Sequence, residues 1–308
     1  MRPHSVNLNH LGVASALAKE AVPSVTTHLL KNRDAAEVLR FLQQRALHNV
    51  VMTGFIRDNG IESELNRGMF YGARDADNQL QGVALIGHAT FMDARCEIVI
   101  KEFARLAQDF PRIHMVLSEL EIVEQFWRWY ALAGQPLRRR CREVMFEMNQ
   151  PPANVDQVPD LRLATPSDLH QVAAVQAALA CQESGISPLE KDRAGFLFRC
   201  QQRIERHRVW TLMRNGEVIF KADIISETPE VIYLEGIYVN PDDRNKGLGS
   251  RCLTQLCHRL LSRAQSIVIL VNENKPNAHR FFQRAGFVAS SVYDTFFLAP
   301  SRDGDDIE

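Results

Sequence analysis

No stretch of the 308-residue chain approaches about 18 consecutive apolar residues, and the N-terminus has no charged head followed by an apolar core. Neither a membrane span nor a secretory signal is expected, and a cytoplasmic location is. The six cysteines (Cys96, Cys141, Cys181, Cys200, Cys252 and Cys257) form no CxxC pair and no zinc-like spacing. Reduced thiols and no metal are the expectation. Charge of one sign is also lacking: the formal net charge is −1, which argues against non-specific binding to nucleic acid or to an anionic membrane. Any basic site must be local.

What is present is ordinary globular composition, with 45% hydrophobic and 24% charged residues in a chain long enough for two domains. The stretch "NQPPANVDQVP" from Asn149 to Pro159 has three prolines and no apolar period, as an exposed linker has. It predicts an arm over residues 1–24, domains over 25–148 and 161–300 with the linker at 149–160 between them, and a tail over 301–308. In the second domain, Thr165, Pro166 and Asp168 read as a helix start, and Arg214-Asn215-Gly216 as a hairpin turn. A strand "VIYLEGIYVN", a turn, and a helix with Leu253, Leu256 and Leu260 on one face follow. The apolar run "IVILV" implies a strand buried on both faces. The fold class is therefore α/β, with a mixed sheet flanked by helices. The first domain repeats this plan in worn form: "FYGARDADNQLQGVALIG" is a hairpin of the same type, and "EQFWRWYALAGQ" is ordered like "AHRFFQRAGF".

The turn "DDRNKGLGSR", Asp242 to Arg251, has no counterpart in the first domain. It lacks the GxxxxGK spacing of a P-loop, and only Gly247 and Gly249 of a GxGxxG fingerprint are present, with Cys252 at the third position. That spacing disfavours a dinucleotide-dependent oxidoreductase. Glycines that admit a ligand to the backbone, free amides at a helix start and the basic residues Arg244, Lys246 and Arg251 suit an anion. A plain tight turn with solvated basic side chains fits the same ten residues.

Its neighbours distinguish the two. "YLEGIYVNPDD", "RNKGLG" and "ILVNENKPNAHRFFQRAGF" in this order resemble the GNAT superfamily of acetyl-CoA-dependent N-acetyltransferases, over roughly Leu161 to Leu298. The most specific part is the R/Q-x-x-G-x-G/A motif at Arg244, Gly247 and Gly249. The chain as a whole is similar to two-domain bacterial GNAT proteins with a degenerate GNAT-like N-terminal half, each half a mixed, mostly antiparallel sheet with flanking helices. The resemblance implies acetyl-CoA as cosubstrate. Its pyrophosphate would lie on the turn formed by Arg244, Asn245, Lys246, Gly247, Leu248, Gly249 and Ser250, and its pantetheine arm along Ile237, Tyr238 and Val239.

Acetyl transfer to an amine needs a neutral nitrogen, a stabilised oxyanion and a protonated leaving thiol. An alkylammonium of pKa ~10.4 is neutral about one part in a thousand near pH 7.4, so deprotonation is worth roughly 4 kcal/mol. Glu235, in strand alternation with Ile237 and Val239, is the candidate base, because apolar surroundings raise a carboxylate's pKa. A salt-bridged carboxylate at a strand edge is the plainer alternative. Many members of the family protonate the thiolate with a tyrosine that here is Phe282, and the asparagine seven residues earlier is Lys275. Tyr293 or water is the substitute expected for that acid, Asn272 and Asn274 are the nearby amides, and Lys275 is either a phosphate contact or solvated. In the family the acceptor is framed by the first helical loop and the last hairpin, which nominates Glu183 in "CQESGISP" and Asp294. Lys221 and Asp223 are expected to form a structural ion pair, Trp127, Trp129 and Tyr130 to belong to the core, and Leu137 to Arg142 to be a solvated basic face. The expected partner is a small-molecule or peptide amine, and the expected state a monomer or homodimer. The alternative to an N-acetyltransferase is an acyl-CoA-binding or scaffolding module without turnover.

Overall fold

The computed structural model describes residues 24–152 and 155–300. The expected tail at 301–308 lies outside the described residues, as does the expected arm except for Ser24. In chain order the first half comprises β1 (Thr26–Leu29), α1 (Ala35–Gln43), α2 (Ala46–Asn59), β2 (Gly68–Arg74), β3 (Leu80–Gly87), β4 (Ala89–Ala94), α3 (Glu97–Gln108), β5 (Met115–Glu119), α4 (Leu120–Tyr130) and β6 (Leu137–Met148). The second comprises β7 (Arg162–Leu163), α5 (Leu169–Ser184), α6 (Pro188–Lys191), α7 (Arg193–Glu205), β8 (Val209–Arg214), β9 (Glu217–Glu227), β10 (Val231–Val239), α8 (Leu248–Leu260), β11 (Ser266–Asn272), α9 (Pro276–Arg284) and β12 (Val288–Leu298).

Local chemistry accounts for many of these boundaries. Asp168 Oδ2 accepts from the Thr165 amide at 2.8 Å, closing the capping box ahead of α5. Asn215 and Gly216 both take positive φ, +51° and +79°, which gives the two-residue β8–β9 turn the twist of its strands. Leu253, Leu256 and Leu260 on α8 are at most 1% exposed, packed on Ile267 and Ile269 of the apolar strand β11.

All twelve strands belong to one sheet in the order β1-β2-β3-β4-β5-β12-β6-β11-β10-β9-β8-β7. Only β4–β5 and β10–β11 run parallel. The order contains an exchange that local patterns do not encode. The last strand of the second half, β12, pairs with β5 of the first, while β6 pairs with β11 of the second. The exchanged strands also pair with each other from Val288↔Glu147 to Leu298↔Leu137. Each half thus completes its sheet with the other's final strand.

The halves also meet through α2, which lies over β9 and β10. The Ser226 hydroxyl donates to the Val50 carbonyl at 2.5 Å, and a Cβ on Gly54 would stand 1.8 Å from Ser226 Oγ, so only glycine lets these elements approach so closely. Arg208 pairs with Asp58 of α2 through Nη2 and Oδ1 at 2.8 Å. Tyr130 is fully buried, and Trp127 and Trp129 pack against the same cluster as it. The segment Leu137 to Arg142 opens β6, with Leu137, Arg139 and Arg140 exposed as its charge suggested, while Arg140 and Arg142 also pair with Asp294. No helix among the described residues is long and apolar enough to cross a membrane.

Candidate active site

The parallel strands β10 and β11 pair over only four residues, Val231↔Ser266 to Leu234↔Ile269. Beyond Leu234, β10 stays with β9 (Tyr238↔Lys221, Val239↔Phe220), while β11 stays with β6 through Asn272↔Glu143. The two strands therefore diverge. Glu235 stands at the point of divergence, followed by an irregularity in which Gly236 takes φ +61°. From here to Val239 the β11-facing edge of β10 has no strand partner, leaving backbone groups available to an extended ligand.

The glycine-rich turn continues from this open edge. Arg244 does not project freely: its Nε donates to the Val239 carbonyl at 3.0 Å, and Arg214 pairs with Asp243 at 3.0 Å. These contacts fix the approach to α8. Asn245 and Gly247 both adopt left-handed φ, +61° and +75°, and no atom lies within 4 Å of where a Gly247 Cβ would be. No side chain caps α8, so its first amides, from Leu248 to Ser250, face outward without a side-chain acceptor. Gly249 has a different role. A Cβ there would stand 2.7 Å from Val239 Cγ2, so its absence lets the helix sit against the strand.

A cavity of about 550 Å³ lies where both halves meet, and its walls include Glu235, Glu183 at the end of α5, and Glu143 on β6. Burial raises the pKa of all three; a neighbouring carboxylate adds to the rise in each, Asp223 for Glu235 and Glu235 for both Glu143 and Glu183. Glu143 is pushed up to about 7 by burial first, against a hydrogen bond from Thr295 that lowers it, and with Glu235 raising it. Glu183 is pushed up to about 8, by desolvation among the surrounding atoms and then by the charges of Glu235 and Glu143, although the residue is still exposed to solvent. For Glu235, burial outweighs the opposing Arg203 charge. Lys275, at the start of α9, opposes the rise at both Glu143 and Glu183, and Arg139 adds to that opposition at Glu183.

Behind Glu235 lies a buried charge network. Asp223, its cross-strand partner, is 2.7 Å from Lys221 Nζ and accepts from Arg203 Nη1 at 2.7 Å. Lys221, fully buried, also donates to Gln176 Oε1 at 2.7 Å and to the Gly236 carbonyl at 3.4 Å, so the expected ion pair is anchored to the irregular segment of β10.

Three of the residues nominated from the sequence sit elsewhere. The Tyr293 hydroxyl is 2.6 Å from His48 Nδ1 in a separate cavity of about 40 Å³ that includes Arg45 and Glu119, and burial raises its pKa. It points at α2 instead of at a thiolate. Asp294 faces the opposite side of the sheet, fully buried, and Arg140 and Arg142 clasp it, Arg140 through Nε at 2.7 Å and Arg142 through Nε at 3.1 Å. It cannot meet an acceptor on the Glu235 face. Phe282, which stands where many family members have a tyrosine and is expected from that position to contact the cofactor, packs into the core with Phe146, Phe281 and Phe287 and is 7% exposed. Asn272 donates to Cys141 Sγ at 2.9 Å, and its carbonyl lies 2.9 Å from His279 Nε2.

Glu143, Thr295, His88 and His114 are cavity-wall residues that sequence reasoning did not nominate. Glu143 carried the same signal as Glu235, a carboxylate within an alternating apolar strand, but nothing local indicated that its strand crosses to the other half.

Diverging parallel strands, a glycine turn at the start of the following helix and a carboxylate at the fork define an acetyltransferase-type fold. The family model described as "Acetyltransferase (GNAT) family" matches residues 174–287, which lie within the second half. Among solved structures, a Drosophila protein is similar over 89% of this chain and 99% of its own, with a TM-score of 0.68 at 13% identity. A GNAT-family acetyltransferase from Colwellia psychrerythraea covers 90% of this chain and 100% of its own, with a TM-score of 0.55 at 13% identity. A tandem GNAT protein from the clavulanic acid biosynthesis pathway has the same coverage, with a TM-score of 0.56 at 12% identity. At these identities the likeness establishes the fold, and it extends over both halves. No curated protein matches the chain.

Proposed function

We propose that the protein transfers the acetyl group of acetyl-CoA directly to a primary amine, with Glu235 as the base, and that the second half carries the reaction. The observation that carries this reading is the position of Glu235 at the fork of β10 and β11, where it shares a cavity wall with Glu143 and Glu183.

Pantetheine would extend along the free edge of Ile237, Tyr238 and Val239, with the thioester carbonyl accepting from a main-chain amide there. The pyrophosphate would meet the amides from Leu248 to Ser250, with Asn245, Lys246 and Gly247 shaping the turn and Arg244 contributing charge at its entrance. Lys275 belongs more naturally to the carboxylate cluster than to a cofactor phosphate, because its charge acts on Glu143 and Glu183. Asn272 supports the floor of the site through Cys141.

Three carboxylates with raised pKa values bind an ammonium ion and then accept its proton as a group, which suits an amine that arrives charged and must react neutral. The amine nitrogen attacks the thioester carbonyl carbon, a C–N bond forms and the C–S bond breaks. Nitrogen gives up two protons, one from the ammonium before attack and one from the tetrahedral intermediate; both pass to the carboxylates, and one goes on to the departing thiolate while the other leaves to solvent. With a pKa near 8.5, that thiol takes its proton from water or from the protonated carboxylate cluster without a dedicated tyrosine. Six free cysteines accord with a cytoplasmic setting.

Release of free thiol from acetyl-CoA with a panel of primary amines tests the reading, and initial-rate lines that intersect distinguish a ternary complex from an acetyl-enzyme. Tight acetyl-CoA binding without thiol release from any amine would favour a binding module instead.

A further inference from the structure

The cavity that holds the three glutamates has a second end of opposite charge, built mostly from the first half. On β12, Thr295 and Phe297 face the same side two residues apart, a separation of roughly 7 Å along a strand. Thr295 donates to Glu143 at 2.7 Å, and the Phe297 ring meets His114 at 5.6 Å between centroids. His114 stacks on His88 at 4.9 Å with an interplanar angle of 11°. These histidines flank the start of the second pair of diverging strands, since β4 and β5 pair only at Ala89↔Met115 and Thr90↔Val116.

Cations gather around this histidine pair. Burial first, then Arg67, His114 and Lys191, push His88 down to about 3, and burial, Lys191, Arg138 and Arg67 push His114 down to about 4. Both rings are therefore neutral donors at physiological pH. The nearby carboxylate is Asp192, which Arg199 pairs with at 3.2 Å. The other cavity-wall arginines are also paired, Arg203 with Asp223 and Arg206 and Arg208 with Asp58. Arg67 and Lys191 also line the cavity, yet neither side chain has an ion pair or hydrogen bond among the described residues. Arg67 and Lys191 are both exposed, and each charge acts on both histidines, so an anion bound beside the histidine pair would be favoured by the two cations together.

We propose that the acetyl acceptor is an amine that also carries an anionic group on the order of 7–10 Å from the reacting nitrogen, the ammonium lying at Glu143, Glu183 and Glu235 and the anion at Arg67 and Lys191. A linear ω-amino acid or an aminoalkyl phosphate has this shape; an α-amino acid acetylated at its α-nitrogen is too short. The inference rests on the acceptor reading of the cavity, but binding tests it separately from turnover.

Isothermal titration of the full chain, saturated with CoA, is performed with 6-aminohexanoate, 5-aminopentyl phosphate and hexylamine. At least one anionic amine should bind tenfold or more tightly than hexylamine, and the better of the two names the anion. Lys191→Gln should reduce this preference, and Arg67→Gln with Lys191→Gln should abolish it while hexylamine affinity holds. Equal affinity for all three probes, or a preference intact in the double variant, overturns the inference. So does titration of the CoA-free chain with acetyl-CoA that gives two equivalents per chain, one lost in the double variant, because the cationic end would then hold cofactor. A binding preference without thiol release leaves the site for an anion-bearing amine standing and removes the acetyl-transfer reading. Thiol release that is equally efficient with hexylamine does the reverse.

Discussion

The Thr295 hydroxyl donates to Glu143 Oε2 at 2.7 Å, so a carboxylate from the first half is positioned by the final strand of the second. Neither half contains the whole cluster, and neither has a complete sheet, because β6 and β12 have changed places.

Residues 155–308 expressed alone should aggregate or remain partly unfolded, since removing β6 exposes the whole apolar edge of β11. Co-expression with residues 1–152 should restore a soluble complex that elutes as one species in size-exclusion chromatography. A monomeric, cooperatively folding second fragment would show that the exchange is dispensable.

Gly247 and Gly249 should separate binding from stability. Gly247→Ala places a side chain in open space but in a left-handed conformation, at a cost of about 1 kcal/mol, and should weaken acetyl-CoA binding as the turn shifts. Gly249→Val drives a methyl group into Val239 and should destabilise the fold by about 1–3 kcal/mol. Urea midpoints together with acetyl-CoA titrations distinguish the two outcomes.

Tyr293→Phe removes one of two partners of His48 Nδ1 inside a small cavity, the other being Glu119 Oε1 at 3.3 Å. Stability should fall by about 0.5–1.5 kcal/mol for the lost hydrogen bond, while thiol release per folded molecule stays within about threefold of wild type. A hundredfold loss of turnover at unchanged stability would restore Tyr293 as the acid.

Stability should be greatest between two titrations of opposite sign. Glu143 and Glu183 have folded pKa values of about 7 and about 8, above the ordinary carboxylate value of 4.5, so the folded state holds more protons and their stabilisation is lost as pH rises from about 5 to 8. His88 and His114, at about 3 and about 4, lie below 6.5, so their contribution is present at neutral pH and is lost as pH falls below about 6.5. Denaturant midpoints from pH 4 to 9 check both arms. Glu183→Gln should flatten the alkaline side, and His114→Gln the acidic side.

Much of the second half was legible because its signals are local. The Thr165 cap, the Asn215-Gly216 turn, the leucine face of α8 and the glycines at 247 and 249 each act within a few residues of themselves. Glu235 was legible for the same reason, as a charge in an alternating strand. Asp294 was misplaced because strand alternation sends it to the face opposite Thr295, where Arg140 and Arg142 neutralise it, and the sequence did not reveal which face of β12 looks into the cavity. Glu143 and the His88–His114 stack were missed because they depend on pairings between distant strands, which no local period encodes.

The central claim is that Glu235 takes the proton of the attacking amine. The most direct measurement is the rate of thiol release from acetyl-CoA by wild type and by Glu235→Gln, from pH 6 to 9, with the amine that wild type uses best. The account predicts a wild-type kcat/KM that rises with pH as the carboxylate cluster ionises, and a loss of about 10²–10⁴-fold in the variant with acetyl-CoA affinity preserved. A Glu235→Gln variant with the wild-type rate and pH profile would contradict it.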